Sequence, residues 1–174
     1  MTAITYVAAF DPFHAIFRTF SLLQFGVGIN PEINRVRIFD FYLCFPQLIN
    51  SFEGARDIAG FIKAKNKTKA HYPDNPYLTL PPPKQLFQRM EQHQLAGLNT
   101  LAALGFLDSD AFQKEIVTKS TKMPTDRLLA DVTKFIQSNS ELFELIGLMA
   151  QLPLSGPNGL KKRSDLEEFR YDAI

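Results

Sequence analysis

The chain has 174 residues, 45% hydrophobic and 21% charged, which suits one domain, or one domain with a small lobe, and excludes wholesale disorder. A chain of this length buries roughly 70% of its unfolded surface, enough for a real core. A formal net charge of +1 supplies no overall field for nucleic acid or a membrane surface, so a basic interface would have to be local.

Aromatic side chains crowd the start. Nine of the 16 phenylalanines, Phe10 through Phe52, fall in the first 52 residues. Asp11-Pro12 predicts a helix start, because Asp accepts from the first free N–H groups and Pro suits the first helical position. The helix should reach Leu23 or Gln24 and stop at Gly26 and Gly28. Its apolar stripe is Phe13, Ile16, Phe17, Phe20 and Leu23, with His14, Arg18 and Ser21 on the other side. Asn30-Pro31 repeats the cap-then-proline signal. The run from Arg35 to Phe45 is apolar on nearly every face and carries Asp40 in its middle. Periodicity does not separate buried helix from buried strand there, and helix with a break near Pro46 is the preferred reading.

A short helix over residues 54–65 is expected next. Residues 63–83 then read as an exposed connection, with alternating Lys63, Lys65, Lys67 and Lys69 followed by Pro73, Pro76 and Pro81 to Pro83. Tyr77 to Leu80 could form a short edge strand in it. Lys84 to Leu104 predicts a long helix with Leu95, Leu98, Leu101 and Leu104 on one side and Gly105 at its end. A short helix near Ser109 to Phe112 and a β-branched run, Glu115 to Thr118, follow. That order fits a small winged-helix unit and equally a helical hairpin with a loop. Pro124-Thr125-Asp126 opens a helix turning Leu128, Leu129, Val132, Phe135 and Ile136 inward. Ser138 with Glu141 forms a capping-box pattern ahead of a helix bearing Leu142, Phe143, Leu145, Ile146 and Met149, which ends before Pro153.

The expected fold is mainly α, a compact helical domain with a small winged-helix-like element. Its expected parts are an aromatic-rich helical part (1–62), a Pro/Lys-rich connection (63–83), a second helical part (84–153) and a basic/acidic tail (154–174).

Few residues suggest chemistry. Cys44 is the only cysteine, so no disulfide forms within the chain, and a reducing cytoplasm fits best. The first residues lack a charged segment ahead of a long apolar one, so no signal peptide is expected. No run approaches the ~18 apolar residues that would span a bilayer. A nucleophilic Cys needs a nearby base and an electropositive setting, whereas Cys44 sits in an aromatic run as a small hydrophobe would. His14, His71 and His93 are far apart in sequence, with no cysteine pair or acid cluster, so no metal or other cofactor is expected. His14 either bonds Asp11 locally or faces solvent. Asp40, buried among apolar residues, needs a partner, and Arg18, Arg35 or Arg37 could provide it. An Arg18–Asp40 pair fixing two helices is the structural reading.

Gly156-Pro-Asn158-Gly159 followed by Lys161, Lys162 and Arg163 is the strongest local motif. A Gly-rich turn ahead of three basic residues can cradle a phosphate or a DNA backbone. It has neither Walker A spacing nor a preceding strand. Asp165, Glu167, Glu168 and Asp172 offset its charge, which favours a protein partner. The lysines between Lys63 and Lys69 read as a solvated stretch; were they to hold phosphate, binding would fall steeply with salt.

Three blocks, Ala9 to Arg18, Arg37 to Pro46, and Gly156 to Lys161 with Glu168 to Asp172, together resemble the middle component of the bacterial ABC-three-component systems. Within that group the chain is similar to the small LmuC (DdmB) subunit of Lamassu defence systems. The resemblance implies a non-enzymatic subunit that joins the heads of an SMC-like ATPase to an effector nuclease and helps hold the effector inactive until DNA is detected. Its implied partners are those two subunits, with DNA reached indirectly and no membrane involved. The expected interface comprises Phe10, Asp11, Phe13, His14, Phe17 and Arg18, together with Gly156, Asn158, Gly159, Phe169, Arg170 and Tyr171. Two readings compete with it: a stand-alone winged-helix DNA binder using residues 106–122 with Lys161, Lys162 and Arg163, and a small enzyme using Cys44 or His14.

Overall fold

The structure is a computed structural model and describes residues 8–77 and 79–166. Among them the chain is helical, with two isolated β-bridges and no strand. Helix α1 (Pro12–Phe25) starts where expected. The Asp11 side chain accepts from the Phe13 N–H at 2.8 Å, Pro12 takes the first turn, and Gly26, at φ +88°, ends the helix with its N–H on the Leu22 carbonyl.

Helix α2 (Ile33–Cys44) lies at the centre, with every residue from Arg35 to Tyr42 buried. That explains its missing periodicity, since a helix surrounded on all sides has no polar face. It begins later than the Asn30-Pro31 signal suggested. Asn30 adopts φ +50° in the preceding turn, and Glu32 takes the cap position without a side-chain bond. Phe45 ends α2, and Pro46 opens a 3₁₀ helix, Pro46–Ser51.

Helix α3 (Phe61–His71) corrects the reading of residues 54–65 as helix and of the lysine stretch as an exposed connection. The lysines alternate through a helix that buries only Phe61, Ala64 and Thr68, a stripe too narrow and small to stand out among charges. Helix α4 (Pro83–Ala103) is the long one; it buries Leu86, Phe87, Met90, Gln94, Gly97, Leu98 and Leu101, while Leu104 lies past its end and is exposed. Helix α5 (Ser109–Gln113) follows the Gly105 turn. Residues 115–119 form no wing: they make single bridges, Ile116 to Glu32 and Lys119 to Leu107, so the winged-helix element is a helix–turn–short helix without a hairpin.

Helix α6 (Asp126–Ser138) is capped by Thr125 and buries only Val132 completely. Helix α7 (Ser140–Met149) buries the expected Leu142, Phe143, Leu145, Ile146 and Met149. Its cap position belongs to Asn139 rather than Ser138, because α6 runs through Ser138 and leaves a single residue between the helices. A five-residue helix, α8 (Leu160–Ser164), closes the described chain.

The helices share one core. Helix α1 packs on α4, α2 and α6, α3 packs on α7 and the 3₁₀ helix, and α8 touches α2. Aromatic rings thread the centre, from Phe87 through Phe41, Tyr42 and Phe52 to Phe61, with neighbouring centroids 5.3–6.0 Å apart. Most of the early aromatic block is therefore internal. Phe20, Phe39, Phe41, Phe45 and Phe52 are buried, and Phe13 stands out at 80% exposure.

Candidate functional site

Two regions carry the residues singled out by sequence. The first is the start of α1. Phe13 and His14 point outward from its first turn, and Phe17, half-buried, meets Phe135 of α6 edge-on at 5.3 Å. Together with Asp11, Leu43 and Cys44 they line an open, largely apolar groove of about 560 Å³. Phe13 thus lies on the expected stripe but does not reach the core. Arg18 and Ser21, expected on the outer side, are buried instead, because α1 is covered by α2, α4 and α6 over more than one face.

Beneath the groove lies a buried polar network. Arg18 donates from Nε to Asp40 Oδ1 at 2.6 Å, from Nη2 to Oδ2 at 3.3 Å, and from Nη1 to the Ala8 carbonyl at 2.9 Å. The Gln94 amide of α4 donates to Asp40 Oδ2 at 2.9 Å and to the Arg37 carbonyl at 3.1 Å. Arg37 donates back to Gln94 Oε1 at 3.1 Å, approaches Glu91 at 3.6 Å, and stacks over Phe87. Desolvation pushes Arg18 toward its neutral form, but Asp40, Cys44 and Asp11 outweigh it and raise its pKa, so the guanidinium stays charged. Arg35, the remaining partner considered for Asp40, instead bonds Glu32 and the carbonyls of Ala150 and Leu152 at the end of α7. Gln94 and Glu91 were not singled out by sequence. The available signal for Gln94 was its place on the same helical face as Met90, Leu98 and Leu101.

Cys44, His14 and Asp11 share the groove wall, but no hydrogen bond joins Cys44 to His14 among the described residues. His14 Nε2 lies 3.9 Å from Asp11 Oδ2. Burial, with the Asp40 charge, pushes the Cys44 thiol well above its ordinary value, the opposite of an activated nucleophile. No group of three or more metal-ligating side chains occurs among the described residues.

The second region is the loop into α8. Gly159 accepts no larger residue without movement, since a Cβ there would lie 2.5 Å from the Ser155 carbonyl oxygen. Gly156 adopts φ +95° and, with Asn158, is exposed. The three basic residues do not form one patch. Lys162 is exposed, Lys161 half-buried, and Arg163 buried at 8% exposure. The Arg163 guanidinium donates to the carbonyls of Asn158 and Gly54 at 2.9 and 2.8 Å and lies 3.7 Å from Asp57. As a phosphate contact Arg163 is therefore corrected: it ties two loops together. Phe169, Arg170 and Tyr171, and the acids Glu167, Glu168 and Asp172, lie outside the described residues.

These features define a helical module whose buried ions serve its own packing and whose open face is a groove around one bare aromatic ring. None of the described helices is long and apolar enough to cross a membrane. The chain belongs to the Middle Component 5 family of ABC-three component (ABC-3C) systems, whose family model matches residues 4–172. It is thus the middle component of a three-part system and has its partners within it. Neither the curated proteins nor the solved structures contain a match to it.

Proposed function

We propose that the chain is a non-catalytic accessory subunit of an SMC-like ATPase complex of the Lamassu kind, acting in the cytoplasm against phage and plasmids. It joins the ATPase heads to an effector nuclease and helps hold that effector inactive until foreign DNA is detected. DNA is met through the complex. The start of α1 and the 156–171 segment are its seats against those partners. The observation that carries the reading is Phe13: a ring 80% exposed, at the rim of an apolar groove, in a chain that buries most of its other early aromatics. Exposed aromatic anchors beside pockets typically dominate binding energy.

Co-expression with the products of the neighbouring genes tests this. The chain should co-purify with a coiled-coil ATPase, and Phe13→Asp should weaken capture by about 2 kcal/mol, roughly 30-fold, while leaving its helical content unchanged. Capture that is indifferent to Phe13→Asp moves the seat elsewhere; neighbouring genes without such an ATPase refute the reading. The winged-helix alternative loses its supports, because the described residues hold no strand and Arg163 is turned inward.

A further inference from the structure

The end of the 3₁₀ helix with the loop after it (residues 50–57), one face of α3, and Arg163 of α8 line a hollow of about 640 Å³. The helix contributes Ile62, Lys65, Asn66 and Lys69 at the i, i+3, i+4, i+7 spacing of a single face. In a chain of net charge +1, four cations (Arg56, Lys65, Lys69 and Arg163) line this wall against two carboxylates, Glu53 and Asp57. Two of the cations hold the loop from behind. Lys65 donates to the Phe52 carbonyl at 2.5 Å, and Arg163 donates to the Gly54 carbonyl at 2.8 Å. The other two, Arg56 and Lys69, are exposed and form no ion pair among the described residues. Asn50 donates to Asp74 at 2.9 Å, and its buried Oδ1, which accepts no hydrogen bond among the described residues, calls for a donor such as a ligand hydroxyl and not for the phosphate itself.

We propose that this hollow binds a small phosphate-bearing ligand, with the phosphate held between Arg56 and Lys69 and Lys65 behind them. Arginine offers a fork of donors that fits phosphate oxygens, and lysine adds a point charge. The volume falls in the ~300–1,000 Å³ range of small-molecule sites. Burial and the neighbouring Lys69 lower the pKa of Lys65, a penalty that an incoming anion relieves. A nucleic-acid strand fits less well. It wants a continuous basic stripe, and Glu53 and Asp57 interrupt this one.

Calorimetric titration of the full chain with pyrophosphate tests the site. Saturable binding at one site per chain is expected, weakened at least roughly tenfold in Arg56→Ala/Lys69→Ala. Lys134→Ala on α6 should bind as the unaltered chain does. Both altered side chains are exposed, and matched thermal unfolding verifies that the fold persists. Absence of saturable binding at millimolar pyrophosphate overturns the proposal, as does equal affinity in the double variant. A short DNA duplex that binds more tightly than pyrophosphate through the same two residues would also overturn it, making the hollow a nucleic-acid surface.

Discussion

Asp40 is 1% exposed, yet its carboxylate receives Arg18 from α1 and Gln94 from α4, so three helices meet on one charge. Removing one partner strands the other in an apolar setting. Arg18→Ala and Asp40→Ala should each destabilise the fold by about 3–5 kcal/mol in urea titrations, whereas the pair Arg18→Met/Asp40→Leu should cost less than either alone. A double change that cost the sum of the two single ones would mean the charges do not act as a pair. Cys44 makes a second residue-scale case. Its thiol is held above the value it has when unfolded, so folding gains from keeping it protonated. That stability is complete below the unfolded thiol pKa, about 8.5, and is lost as pH rises above it. Stability should therefore decline from about pH 8.5 upward, and Cys44→Ala should flatten the decline. A profile that is identical in the variant would place the alkaline sensitivity elsewhere, with Tyr42, also pushed up by burial, as the next group to remove. At this scale the sequence showed that Asp40 needs an arginine and named three candidates. It could not show Gln94, because one polar residue on a helix face looks the same whether it meets water or a carboxylate.

Helix boundaries were legible where local chemistry sets them. Asp11 with Pro12, Gly26, Gly105 and the Leu142-to-Met149 stripe all act within a turn or two of chain. They failed where packing decides: α2 has no polar face to read, and α3 hides three buried residues among lysines. The contact between α1 and α4 shows what such packing requires. Gly97 sits where the two helices touch, and a Cβ there would lie 3.2 Å from both the Ala15 Cβ and the Ile16 backbone nitrogen. Alanine normally stabilises a helix interior relative to glycine by about 1 kcal/mol. Here the opposing atoms are backbone and a β-carbon, which cannot swing away. Gly97→Ala should therefore be net destabilising by about 1–2 kcal/mol, and Gly97→Val more so, in thermal or urea unfolding. A stabilising Gly97→Ala would mean that α1 and α4 separate more easily than their contact suggests.

Across the whole molecule, composition suggested a divide at residues 63–83, but the core runs across it. Helix α1 before the divide packs on α4 after it, α3 within it packs on α7, and the Thr68 hydroxyl donates to the Glu141 carbonyl at 3.0 Å. Tyr72 also donates to Asn139 Oδ1 at 2.7 Å. A stretch of lysines and prolines marks exposed surface on one side of a helix; it carries no information about what the other side covers. Helical content was therefore readable, and the partnering of helices distant in sequence was not. The physical consequence is cooperativity. Neither half can bury its apolar faces without the other, so urea unfolding followed by far-UV circular dichroism, which reports helix, and by near-UV circular dichroism, which reports aromatic packing, should give one shared transition. Fragments 1–82 and 83–174, prepared separately, should each lose most of their helix, because isolated helices of this length are marginal in water. Mixing them should restore the signal in part. Two resolved transitions, or a stably helical fragment 83–174, would show instead that the chain folds as two independent units joined through residues 63–83.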